Sequence, residues 1–80
     1  MNKDNKVYIQ AMELIKLDNW KGAHDIVERL HTPIASHIHA YLHRIEGDNW
    51  NADYWYGKAG RERPAISIDE EWTSIMDLLV

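Results

Sequence analysis

The sequence contains no cysteine and no phenylalanine. Without cysteine, neither a disulfide nor a thiolate metal site can stabilise the fold, so side-chain packing must do so. This is demanding for 80 residues, because a domain of that size buries only about 60% of the surface that its unfolded chain exposes. The bulky part of the core must come from four Trp and four Tyr, whose polar groups need hydrogen-bond partners when buried.

The sequence also lacks a long apolar run and a basic surface. No stretch approaches the roughly 20 apolar residues that cross a bilayer, and no hydrophobic segment follows the polar start, residues 1–6, as in a signal peptide. We therefore expect a cytoplasmic protein with no membrane partner. The net charge of −4 argues against nucleic-acid binding, which needs a basic footprint.

Helical periodicity dominates what is present. Apolar residues recur at i, i+4, i+7 and i+8, which is the spacing of one helix face, and no strand pattern competes. Asp18 is expected to end the first helix and to cap the second. Thr32 precedes a proline at the start of the third helix, and Ser67 with Glu70 matches a capping box. The predicted helices cover residues 7–17, 20–30, 33–46, 49–59 and 67–80.

An internal repeat links the two halves of the helical region. The tripeptide Asp-Asn-Trp at residues 18–20 recurs at 48–50, an offset of about 30, and Ala23 recurs as Ala52 at an offset of about 29. Small residues at these positions let two helices approach closely. Stacked helix–turn–helix hairpins have such a period.

The second copy carries the features of a known repeat in order. Gly47 is a turn glycine, Ala52 and Ala59 are small residues around the aromatic Tyr56, and Pro64 closes the unit. This pattern resembles the second half of a tetratricopeptide or Sel1-like repeat. The copy in residues 4–33 is degenerate, since an aspartate replaces the turn glycine and a leucine the second alanine.

Residues 39–48, His-Ala-Tyr-Leu-His-Arg-Ile-Glu-Gly-Asp, followed by Asn-Ala at 51–52 and Tyr-Trp-Tyr at 54–56, form a closer likeness. They are similar to the signature of a family of small bacterial proteins of unassigned function, a likeness that implies no activity. The predicted fold is all-α and a single domain of residues 1–80. It has a degenerate antiparallel hairpin in 4–32, a tetratricopeptide-like hairpin in 33–60 and an amphipathic capping helix in 67–80.

The repeat resemblance implies a mode of action, because the first helices of such hairpins line a groove that binds peptides. We therefore expect a non-enzymatic interaction module whose partner is another protein or peptide, or a second copy of the chain. An arginine in the groove could pair with a ligand carboxylate. Alternatively, the acidic fifth helix folds over the repeats as a cap. The predicted partner-binding residues are Tyr8, Met12, His37, Tyr41 and Arg44.

The histidines offer a second hypothesis. His39 and His43 are four residues apart on one helix face, and His24 of the preceding helix could complete a three-ligand metal site. Ala40 stands where the HExxH motif has its catalytic glutamate, so no metalloprotease base is present. The alternative is that these histidines are buried and bond to neighbours such as Glu46.

An enzyme is not expected, since no Gly-rich phosphate loop or activated nucleophile is recognisable, and no cofactor is predicted. The acids at 69–71 are interpreted as a solvated first helical turn. The aromatic fourth helix is apolar on two sides. One side is expected to pack on the third helix and the other to receive the tail helix through Trp72. The alternative is that part of it stays open as a partner site, with Trp50 and Tyr54 on that side.

Overall fold

The computed structural model describes residues 5–80, and these form five α-helices and no strand. The predicted all-α fold is confirmed. The predicted start of the first hairpin at residue 4 lies outside the described residues. Within them, no helix has the length and apolar character needed to cross a membrane. The helices are α1 (Asn5–Lys16), α2 (Trp20–Val27), α3 (Pro33–Ile45), α4 (Asn49–Lys58) and α5 (Ile68–Leu79).

Side-chain caps set most of the helix starts. Thr32 caps α3, and Ser67 with Glu70 forms the predicted capping box at α5. The N-cap of α2 is Asn19, however, and the prediction of Asp18 is wrong. The Asn19 side chain accepts a hydrogen bond of 2.9 Å from the backbone N–H of residue 22. In addition, α2 ends at residue 27 instead of 30.

Asp18 ends the preceding helix, as predicted. Its φ of 63° is left-handed, and Gly47 has the same role between α3 and α4 with a φ of 87°. The next residue in each turn, Asn19 or Asp48, donates its backbone N–H to a helix carbonyl five residues back and caps the next helix. Aspartate tolerates the left-handed region better than most residues. The two turns are therefore equivalent at an offset of 29 residues.

The two tryptophans of the repeated tripeptide are consequently not equivalent. The Trp20 indole N–H donates to the Leu42 carbonyl oxygen at 2.7 Å and so fixes α2 on α3. Trp50, one position later in its turn, is 81% exposed. The repeated tripeptide thus identifies the two equivalent turns, but its offset is one residue longer than the offset between the turns themselves.

Helix α3 is the centre of the molecule, because it packs against all four other helices. Its residues 35–43 are buried without interruption, including Ser36 and three histidines. Buried polar side chains need partners, so the surroundings of these histidines decide the chemistry of the fold. The most extensive helix pairs are α3 with α4 and α1 with α2.

Helix α5 lies across α1 and α3. The Trp72 indole donates to the Met12 carbonyl oxygen at 2.9 Å, and the Tyr41 hydroxyl donates to the Ile68 carbonyl oxygen at 2.8 Å. The expectation that Trp72 covers the second side of α4 is therefore wrong. That side keeps Trp50 and Tyr54 81% and 52% exposed.

Candidate metal centre

Three histidines meet where α2 packs on α3. His24 comes from α2, and His39 and His43 come from α3, with ring centroids 4.6, 5.0 and 5.6 Å apart. One ring nitrogen of each lies within 4.8 Å of those of the other two. Nitrogen ligands about 2.0–2.1 Å from a tetrahedral ion lie roughly 3.3 Å from one another. A tetrahedral ion would thus hold the three nitrogens closer together than their 4.8 Å upper bound.

Two tryptophans hold these rings in place. Trp20 stacks on His24 with centroids 4.8 Å apart and planes inclined by 10°. Trp55 of α4 stacks on His39 at 3.9 Å and 12°. Stacking restricts each ring to its own plane without using its nitrogen atoms, so the nitrogens stay available as ligands.

A carboxylate lies next to the Nδ1 atom of two of the three histidine rings. An oxygen of Glu46 lies 2.6 Å from Nδ1 of His43, and an oxygen of Glu28 lies 3.8 Å from Nδ1 of His24. When Nδ1–H donates to a carboxylate, the lone pair is on Nε2, the ligand atom in such a pair. The carboxylate also fixes the orientation of the imidazole ring. Metal-binding histidines commonly have such partners.

The protonation state also suits a metal ligand. Burial, reinforced by the neighbouring His24 and His43, lowers the pKa of His39 to about 4. His39 is therefore neutral at pH 7, and the neutral imidazole is the form that binds a metal ion. The side chain of His24 is 21% exposed, so the cluster is reached from solvent on the α2 side.

A second polar cluster lies under α5 around Glu71, which is 1% exposed. Its carboxylate accepts hydrogen bonds from the Tyr56 hydroxyl at 2.7 and 2.8 Å and from the Arg44 guanidinium at 2.7 Å. Nε2 of His37 lies 3.4 Å away. Burial disfavours the charged carboxylate, but the donors of His37, Tyr56 and Arg44 outweigh it and lower the pKa of Glu71. Burial also raises the pKa of Tyr56 above its usual range.

The five predicted partner-binding residues lie in the interior of the helical bundle instead of on an open groove. Tyr8, Met12, His37 and Tyr41 are at most 6% exposed, and the Arg44 side chain is 16% exposed. Because α5 packs on α1 and α3, it occupies the face that the repeat resemblance implies for a peptide. In the described residues, 5–80, α5 covers this face, as in the alternative expectation that the fifth helix folds over the hairpins. Helix α5 contacts three of them directly, since Glu71 lies against His37 and Arg44 and the Ile68 carbonyl accepts from Tyr41.

The structure brings His24, His39 and His43 together, and their metal binding stays a prediction, whereas no sequence signal used above singled out Glu71. That residue was interpreted as part of a solvated first turn, which is wrong. It lies four residues before Ile75 and eight before Leu79, which are both buried, so it belongs to the same helix face. An acid on an apolar stripe was the available signal. Only the fold could show which partners neutralise it.

Comparison with known proteins adds no assignment. No family model, curated protein or solved structure matches this chain.

Proposed function

We propose that the protein binds a transition metal ion through His24, His39 and His43. The observation that carries this proposal is the approach of three ligand nitrogens from two helices to within 4.8 Å of one another. Imidazole ligands suit zinc, copper and nickel, and zinc prefers tetrahedral sites. A set of three neutral histidines leaves the charge of the ion uncompensated, and the carboxylates of Glu28 and Glu46 nearby offset it.

Metal binding would join α2 to α3. The ligands come from both helices, so an ion bound by all three stabilises their packing in addition to the hydrogen bond of Trp20. Because such an ion does not bind the unfolded chain in the same way, its binding energy adds to folding stability. Three protein ligands leave a fourth tetrahedral position for water or another small ligand.

The test is zinc titration with matched histidine variants at pH 7.5. We expect one equivalent to bind, and zinc at 100 times its Kd to add about 2.7 kcal/mol to stability. For a domain of this size that raises Tm by about 10–20 °C. His24→Gln removes the most exposed ligand and should abolish the gain. His31→Gln, an exposed histidine outside the cluster, should keep it.

Two results would count against the metal centre. One is an unchanged Tm for the wild-type protein at excess zinc. The other is an equal loss of zinc binding in the His24 and His31 variants, which would indicate nonspecific binding. Circular dichroism of each apo variant establishes that the helices are intact before zinc is added.

A second candidate function, contact with another protein, rests on α4. Trp50 and Tyr54 are one helical turn apart and are both exposed, and aromatic side chains of this kind are frequent anchors in interfaces. We propose a second copy of the chain as the first partner to test. Light scattering at two concentrations should show a dimer that Trp50→Ala disrupts. A monomer at both concentrations would exclude self-association through this face.

A further inference from the structure

A polar cleft of about 550 Å³ opens between the end of α3, one side of α4 and the connector of residues 61–65. It shares no residue with the histidine cluster. Three arginines line it, Arg44, Arg61 and Arg63, together with apolar surface from Pro64 and Ala65. Cavities of roughly 300–1,000 Å³ accommodate small organic ligands. The size and lining of this cleft thus suit a small molecule that has both an anionic group and an apolar part.

Two of the arginines are held in place by the protein. Arg44 donates one guanidinium nitrogen to Glu71 at 2.7 Å and another to the carbonyl oxygen of Ile66. Arg63 donates to both carboxylate oxygens of Asp53, at 2.9 and 3.4 Å. An arginine has five N–H donors, so each keeps further donors for a ligand. Holding a guanidinium in advance reduces the side-chain entropy lost on binding.

Arg61 differs from the other two because it forms no ion pair in the described part of the chain. It is exposed at the edge of the cleft. A cation next to two fixed guanidinium groups is expected to contribute strongly to anion binding, since its charge is not already neutralised. Glu71 pairs with Arg44 and Asp53 pairs with Arg63, and the carboxylate-bearing Glu62 also lines the cleft. Recognition would therefore come from directed N–H donors instead of a net positive field.

We propose that this cleft binds a small organic anion, a carboxylate or a phosphate ester, through Arg44, Arg61 and Arg63. Arginine recognises both groups by paired N–H···O bonds, because its planar fork matches two oxygens of either anion. Pro64 and Ala65 contact the body of the ligand. The site is independent of the metal centre, so neither proposal requires the other.

The experiment is an NMR titration of the full chain at low salt, with metal removed beforehand by a chelator that is then dialysed away, using citrate as the carboxylate probe and AMP as the phosphate probe. Adenosine is the neutral control for AMP. We expect saturable shifts in residues 44 and 53–65 with at least one anion, and none with adenosine. Saturation by citrate alone, or by AMP alone, identifies the preferred anionic group.

Arg61→Ala is the informative variant, because Arg61 is exposed and its replacement leaves the buried Glu71 cluster intact. It should weaken binding by about tenfold or more, as expected for the loss of a charge-assisted hydrogen bond. Arg29→Ala removes the same charge from an exposed position outside the cleft and should change Kd by less than about twofold. The proposal is overturned if neither anion saturates below about 10 mM. It is also overturned if the two variants weaken binding equally.

Discussion

Replacing Glu71 by glutamine should destabilise the protein more than any other single-atom change in α5. The carboxylate is 1% exposed and receives hydrogen bonds from Arg44 and Tyr56. Glutamine keeps the shape but removes the charge, and its amide N–H₂ then faces donors instead of acceptors. Arg44 would be left as a largely buried cation without a counterion.

The expected cost follows from that geometry. Removing one partner of a buried ion pair costs about 3–5 kcal/mol. A domain of 80 residues has a total stability of about 4–12 kcal/mol, so the variant would lose a large part of it. Each kcal/mol lowers Tm by about 4–8 °C in a domain of this size, which predicts a fall of at least about 12 °C.

Urea unfolding monitored by tryptophan fluorescence measures this cost. The matched control is Glu70→Gln, the same chemical change one residue earlier. Glu70 is exposed, and a glutamine can still complete the capping box with Ser67, so this variant should stay within about 0.5 kcal/mol of the wild type. If the two variants differ by less than about 1 kcal/mol, Glu71 does not anchor α5 as described.

Three further predictions concern other parts of the fold. As pH falls from 6.5 towards 4, the free energy of unfolding should decrease by up to about 3 kcal/mol. The reason is that burial lowers the pKa of His39 to about 4, so that only the unfolded chain takes up this proton. Urea unfolding at each pH should show a flatter pH dependence in His39→Gln. Thermal unfolding should show that Gly47→Ala, at a φ of 87°, lowers the free energy of unfolding by about 1–2 kcal/mol. Gly57→Ala, in a helix with open space around it, should raise it by about 0.5–1 kcal/mol. An equal effect at both sites would contradict the turn geometry. Trp20→Phe should cost about 1–3 kcal/mol, because it removes the indole donor and leaves the Leu42 carbonyl only the Glu46 N–H at 3.3 Å. Trp50→Phe should cost less than about 0.5 kcal/mol in the same urea unfolding assay, and the reverse order would contradict the 29-residue register.

The helices were predictable because their signals are local. Thr32 before a proline, and Ser67 with Glu70, are caps that act within one turn. The turn at Asp18 is predicted correctly but the N-cap of α2 is not, since aspartate is both a common N-cap and one of the few non-glycine residues that adopt a positive φ. Local sequence does not separate these two roles. The equivalent Gly47, which is not among the strongest N-caps, made the other turn easier to assign.

The candidate site was only partly predictable for a different reason. The spacing of His39 and His43 fixes their shared face, because residues four apart on a helix are neighbours. The addition of His24 needed the packing of α2 on α3, which the sequence suggested through the hairpin pattern. The stacking of Trp55 on His39 depends on the rotation of α4 about its axis, which no local signal sets.

X-ray absorption spectroscopy of the zinc-loaded protein tests most directly whether three histidine nitrogens bind one metal ion. With one equivalent of zinc at pH 7.5, we expect nitrogen or oxygen ligands at about 2.0–2.1 Å and outer-shell scattering from three imidazole rings. In His24→Gln the imidazole contribution should fall to at most two rings. A zinc spectrum with oxygen ligands alone, or one identical in the wild type and this variant, would contradict the account.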